Sequence, residues 1–250
     1  MKMSKKNPLL LKTKNDIPFF GGRTNIHQPT INEIALISEE NFHVGVRFLA
    51  FDKDDISKDN FDLDKMSNFD ILMSMINDKS GLQYKQKATM VLALLFPLYN
   101  NITFEKDKII LKNDKEQKEI NNRNFDEFKE HLENMFCLND SDNKKKYNPA
   151  SKRAEKIAEK LKKSREKVNK KKGIKTDENL SIYEYYISVL SVGESKSWNT
   201  LLDYTVPQLL DEFKRFQRKV AYEAYERAAI AGAQNLEEEA HWMIDDEKIS

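Results

Sequence analysis

Thr205-Val206-Pro207-Gln208-Leu209-Leu210-Asp211-Glu212-Phe213 opens a run that continues through Phe216, Val220 and Ala224 to Ala231, before Gly232. Thr205 and Gln208 have the spacing of a capping box, in which the two side chains satisfy backbone N–H groups that a helix start leaves unpaired. Pro207 is tolerated there because its missing N–H would have no partner in a first turn anyway. Leu209, Phe213, Phe216, Val220 and Ala224 then recur at intervals of three and four, the period of one helix face. Gly232 is placed to interrupt it. The stretch predicts a long amphipathic helix, and with it a mainly α fold.

The same signals recur on both sides. Ser197 is positioned to cap a short turn holding Trp198, Leu201 and Leu202, and Ser181 with Glu184 forms a capping box before Ile182, Tyr185, Tyr186, Val189 and Leu190. Towards the N-terminus, Thr30 with Glu33 is another capping box, and Ser38 precedes the apolar positions Phe42, Val46, Leu49 and Ala50. Further helices are expected near residues 68–76 and 84–98, and on the stripe Phe125, Phe128, Leu132, Met135 and Phe136. Strand signals are few. Pro18-Phe19-Phe20 and Thr24-Asn25-Ile26 flank a Gly21-Gly22-Arg23 turn, and residues 102–111 alternate around Lys106-Asp107. The expected fold is a helical N-terminal domain with one or two small β-hairpins, near residues 18–27 and 102–111, and a helical C-terminal domain.

Composition agrees. Seven Gly and six Pro in 250 residues are too few for the tight turns of a β-sandwich or barrel. The net charge of +1 conceals an uneven distribution. Between Lys144 and Lys172 there are 14 Lys and Arg against 3 Glu, so the rest of the chain is net acidic. This block divides the sequence into an N-terminal domain over residues 1–140, an exposed basic helix or linker over 141–173, and a C-terminal domain over 174–250. Ala154, Ile157, Ala158, Leu161 and Val168 give the block a thin apolar stripe only.

Catalytic chemistry finds no foothold. His27, His43, His131 and His241 lack ligand spacing, and the lone Cys137 can form neither an internal disulfide nor a thiolate metal site. Cys137 follows the apolar pair Met135-Phe136 and reads as packing. The loop from Asp52 begins like a calcium loop, but Ser57 and Leu63 stand where Gly and Glu are required. No nucleophile elbow or Gly-rich phosphate cradle occurs. No enzyme activity, metal or cofactor is therefore expected. The N-terminus lacks the apolar length of a signal peptide, and the longest apolar stretch, Met90 to Tyr99, is about half a membrane span. A soluble protein away from membranes is expected. The basic block supplies phosphate-neutralising lysines but one aromatic, Tyr147, and two Arg, so nucleic acid is a disfavoured partner.

Residues 197–209 (SWNTLLDYTVPQL), Ala228-Ala229-Ile230-Ala231-Gly232-Ala233 and Glu239-Ala240-His241-Trp242-Met243, together with residues 26–34 (IHQPTINEI), resemble the tail assembly proteins of long-tailed bacteriophages that infect Gram-positive bacteria. Tail assembly chaperones are the nearest in kind. The resemblance implies a non-enzymatic tail morphogenesis protein in the host cytoplasm. Such a protein binds the tape measure or other tail proteins and shields apolar helices during assembly. A structural tube or baseplate component retained in the virion tail is the alternative, and pairing with further copies of itself is open to either. No catalytic residues carry over. Trp198, Phe213, Phe216 and Trp242 are the candidate protein-binding residues, since large aromatics are the commonest interface anchors. Burial in the core is the competing reading for Phe213 and Phe216, which sit on a regular stripe.

Overall fold

The computed structural model describes residues 8–53, 66–78, 81–138 and 181–233. The basic block and Trp242 lie outside the described residues. Those up to residue 138 and from 186 onward belong to one compact unit, and residues 181–185 belong to a second. The architecture is mainly helical with two small antiparallel sheets.

A short helix, α1 (Pro8–Leu11), leads into the hairpin of β1 (Ile17–Phe19) and β2 (Thr24–Ile26), paired in the register Ile17 with Ile26 and Phe19 with Thr24. Alternation places Ile17, Phe19 and Ile26 in the core. The next helix, α2 (Ile31–Ile37), begins at the expected capping box. The Thr30 N–H donates to Glu33 at 2.7 Å and the Glu33 N–H donates back to Oγ1 of Thr30 at 3.3 Å. Ser38 ends α2 and, with φ at 69°, caps α3 (Glu39–Leu49) through the Asn41 N–H.

Helix α3 packs on α5 (Leu82–Leu95), with α4 (Asn68–Asn77) alongside α5. Phe42, Val46 and Leu49 are buried, as are Ala88, Val91, Leu92 and Leu95 on α5. The approach is close at Gly45, where a Cβ would lie 2.6 Å from the Lys87 carbonyl oxygen. After α5 comes a three-stranded sheet of β3 (Asn101–Phe104), β4 (Lys108–Lys112) and β5 (Gln117–Asn121), in that order.

The expected hairpin at 102–111 is therefore two thirds of a sheet, and β5 is an addition to it. Gln117-Lys118-Glu119-Ile120-Asn121 carries one apolar residue, which leaves no alternation to read. What forms the strand is the turn before it. Oδ1 of Asn113 accepts from the Lys115 and Glu116 N–H groups at 2.9 and 2.8 Å, and the chain reverses so that Ile120 pairs with Ile109.

Helix α6 (Phe125–Met135) buries the stripe read from the sequence: Phe125, Phe128, Leu132, Met135 and, just beyond the helix, Phe136. Phe128 sits among aromatics. Its ring lies 5.9 Å from Phe19, 6.0 Å from Phe96 and 6.4 Å from Phe125. The C-terminal helices are α7 (Ile182–Gly193), α8 (Trp198–Leu202) and α9 (Val206–Ile230), the last being the predicted long helix.

Two details of the predicted stripes are corrected. On α7 the buried residues are Tyr183, Ile187 and Leu190, while Ile182 and Tyr185 are exposed, so the burying face is rotated from the one expected. On α9 burial stops at Val206, Leu209 and Phe213, and Val220 and Ala224 face solvent.

Candidate interaction surfaces

Helix α9 is rooted by polar contacts at its first turns. Thr205 pairs with Thr30 in an isolated antiparallel bridge, the Ile31 N–H donates to the Tyr204 carbonyl at 2.9 Å, and Nε2 of Gln208 donates to the Lys12 carbonyl at 2.8 Å. Asp211 accepts from Lys12 at 2.9 Å and from Arg215 at 3.1 Å. Burial opposes ionisation of Asp211, but those two cations hold its carboxyl below the usual value.

Above this root, α9 lies against α7. Phe213, 7% exposed, places its ring 4.2 Å from that of Tyr186. Phe216 is half-buried one turn on, its ring occupying the space that a side chain at Gly193 would fill. Lys219 reaches Glu194 at 3.2 Å, and Lys196 pairs with Glu212. Burial works against the charge on Lys196, yet Glu212 and the Tyr204 hydroxyl raise its ammonium above the ordinary value.

Past Phe213 no residue of α9 is fully buried among the described residues. At about 1.5 Å per residue, α9 runs roughly 37 Å, and its second half projects beyond α7. Val220 is 47% exposed and Ile230 87%, with Ala221, Ala224 and Ala229 open to solvent between them.

Of the four residues singled out in the sequence, Phe213 and Phe216 come together on the α7-facing side of α9 and pack within the fold. Trp198 stands apart at the start of α8, 42% exposed, above a buried Leu201. Trp242 lies outside the described residues.

A second surface was not visible in the sequence. A cleft of about 520 Å³ is bounded by the β1–β2 hairpin, the loop after α5 and the β4–β5 turn. Phe19, Phe96, Pro18 and Pro97 line it together with Phe20 and Leu98, which are exposed. Its polar groups are Asp16, Arg23, Thr24, Asn25, His27, Tyr99 and Glu116.

Most of these are already engaged. The Tyr99 hydroxyl donates to Glu116 at 2.8 Å, so the Thr24 hydroxyl, 3.2 Å away, donates to Tyr99 in turn. Lys118, 2.9 Å from Glu116, and the Tyr99 hydroxyl both hold the Glu116 carboxyl below its ordinary value. Burial, and the neighbouring carboxylate, push the Tyr99 hydroxyl up. Nδ1 of His27 lies 3.1 Å from Asp16, and its Nε2 lies 3.3 Å from Glu33. Burial disfavours the Glu33 carboxylate, but hydrogen bonds from Thr30 and His27 outweigh it and lower its pKa.

The hairpin that carries Arg23 is fixed from behind. Glu127 accepts from the N–H groups of Phe20 and Gly21 at 3.0 and 2.8 Å. Nδ2 of Asn124 donates to the Gly21 and Glu119 carbonyls at 3.1 and 3.0 Å. One region of the sequence, Gly21-Gly22-Arg23, marked the turn; nothing local marked the loops that complete the cleft.

Among the described residues, no group of three or more His, Cys, Asp or Glu is arranged to hold a metal ion, and no helix is long and apolar enough to cross a membrane. No family model, curated protein or solved structure matches the chain.

Proposed function

We propose that this is a non-enzymatic protein-binding assembly factor that uses the projecting half of α9 to engage a helical partner. The observation that carries the reading is the contrast within one helix. α9 buries Val206, Leu209 and Phe213, then extends with Val220 and Ile230 uncovered. A helix rarely keeps its apolar positions in water over several turns unless something covers them in use. Laying such a face against a second amphipathic helix buries the exposed aliphatics and needs no catalytic group. Trp198 on α8 is a further anchor of the kind that dominates interfaces.

In terms of the tail-protein resemblance, the partner is the tape measure or another tail protein, and the role is that of a tail assembly chaperone. A tube or baseplate subunit that stays in the particle is the second form of the same reading. Both act through protein contacts, and Trp198 with the exposed positions of α9 serves either.

The test is a double variant, Val220→Asp with Ile230→Asp, in an affinity-tagged full chain. Neither residue is packed, so circular dichroism and thermal melting are expected to match the native chain within about 0.5 kcal/mol. Capture of tail proteins from phage-producing cells is expected to be lost. Unchanged capture would sink the assignment to α9. Mass spectrometry of purified particles separates the two forms, since a chaperone is absent from them and a structural subunit is present in fixed ratio.

A further inference from the structure

His131 and Glu127 stand one turn apart on α6, beneath the β1–β2 turn. The His131 side chain is 11% exposed, and its Nε2 is buried with no hydrogen-bond partner among the described residues. Buried polar groups seldom keep such a deficit. The acceptor it faces, Oε1 of Glu127, lies 3.8 Å away, too far for a hydrogen bond. Both oxygens of that carboxylate are already committed to the turn, Oε1 to the Phe20 N–H at 3.0 Å and Oε2 to the Gly21 N–H at 2.8 Å. The turn rests so closely on α6 that a side chain at Gly21 would collide with Glu127 and Asn124. From the hairpin packed against His131 comes the uncharged ring of Phe19, edge-on at 6.2 Å. The charges that act on His131 are Glu127 and Glu130, both on its own helix. Burial outweighs them and holds the imidazole below its ordinary value of 6.5.

We propose that this pair is a proton-operated latch, in which charging His131 draws Glu127 off the β1–β2 turn and loosens the lip of the cleft. Protonation leaves a hydrogen on both ring nitrogens, so Nε2 becomes a charged donor facing a carboxylate. A charge-assisted bond closes at about 2.8 Å, so Oε1 must approach by about 1 Å. That movement stretches the bonds to Phe20 and Gly21, because one rigid carboxylate then serves three donors. The exchange is favourable because the imidazolium is buried and needs a partner, whereas Phe20 and Gly21 are exposed and their N–H groups can turn to water. Asn124 still holds the Gly21 carbonyl and the Arg23 N–H still donates to Phe20, so the turn loosens without the strands parting. The residues it carries at the rim are Phe20, 71% exposed, and Arg23. The latch is shut while His131 is neutral and opens as pH falls through its folded-state value, below 6.5. It does not depend on the role of α9.

The experiment follows the isotope-labelled full chain by nuclear magnetic resonance from about pH 7.5 to about pH 4.5, reading the His131 ring and the Phe20 and Gly21 amides together. The two amide protons are expected to move upfield, the direction of a weakened hydrogen bond, with the same midpoint as the His131 ring. His131→Phe fills the space with an uncharged ring and is expected to abolish that inflection. Glu127→Gln is the second variant. It leaves His131 free to titrate, at a lower pH than in the native chain, but removes the carboxylate that an imidazolium would draw, so the amides are expected not to follow the ring. The proposal is overturned if His131 stays neutral until the chain unfolds in acid, or if its ring titrates in the native chain while the two amides stay in place. It is also overturned if the amides keep the native midpoint in His131→Phe, or still track the His131 ring in Glu127→Gln. The first two outcomes need no variant, so a substitution that fails to fold does not shelter the latch.

Discussion

Gly45→Ala tests whether the α3–α5 contact organises the N-terminal core. In an ordinary helix the change stabilises, because alanine exceeds glycine in helix propensity by about 1 kcal/mol. Here the new methyl would sit 2.6 Å from the Lys87 carbonyl oxygen and 2.7 Å from Cγ2 of Val91, where about 3.4 Å is the start of ordinary contact. The first neighbour is backbone inside α5 and cannot rotate away. The helices must therefore separate by about 0.8 Å at this point. That movement loosens Phe42, Val46 and Leu49, all of which are fully buried. Overpacking of a close-packed core costs about 1–3 kcal/mol, and a clash with backbone belongs at the upper end. Set against the propensity gain, the net loss is about 2 kcal/mol. With a urea slope of about 2 kcal/mol per molar, the midpoint falls by about 1 M in far-ultraviolet circular dichroism. Gly193→Ala is the internal control. The atoms nearest its methyl all belong to the far end of the half-buried Phe216 ring, a side chain that can swing aside where backbone cannot, so a change within about 1 kcal/mol is expected. A Gly45→Ala chain as stable as the native one would refute the close approach of α3 to α5.

Further outcomes follow from single polar groups. Burial lowers the pKa of His131 from the ordinary 6.5, against the opposing pull of Glu127 and Glu130, and its Nε2 has no hydrogen-bond partner. The unfolded chain then binds more protons below pH 6.5, so stability falls as pH drops and levels off below the folded-state value, with a slope of at most about 1.4 kcal/mol per pH unit. His131→Phe is expected to flatten that dependence in melts between pH 7 and pH 5, and equal slopes in both proteins would contradict it. Asn124→Ala removes the partner of the Asn121 N–H and of the Gly21 and Glu119 carbonyls, so a loss of about 2–3 kcal/mol is expected in denaturant titration. A loss under about 0.5 kcal/mol would show that solvent replaces those bonds.

What was legible in the sequence is what depends on near neighbours. The stripe from Phe125 to Phe136 has one apolar face, and every residue of it is buried; Lys129, paired with Asp52, is buried beside it without any apolar signal. The capping box of Thr30 and Glu33 is complete within four residues. Ile182-Tyr183-Glu184-Tyr185-Tyr186-Ile187 offers apolar groups on every side, so spacing alone cannot choose the burying face. Strand β5 depends on an Asn113 side chain folding back on its own turn. The cleft is further still from local pattern, since Arg23, Tyr99 and Glu116 arrive from three connections far apart in the chain.

The two candidate surfaces differ in how the fold supports them, and this bears on what each can recognise. Arg23 rides on a turn fastened by Glu127 and Asn124 to the start of α6, whose next turn carries Phe128 into the aromatic core. Such a turn is held in place by the fold itself. The free half of α9 has the opposite character. Its root is tied by Thr205, Gln208 and Asp211, and beyond Phe216 the described contacts are surface pairs such as Lys219 with Glu194 and Arg227 with Glu223. Exposed ion pairs of that kind contribute only about 0.5 kcal/mol or less. Covering Val220 and Ile230 would contribute more through apolar burial, and it constrains shape rather than charge. On the proposed reading, a partner of α9 is therefore selected by an apolar helical face of sufficient length.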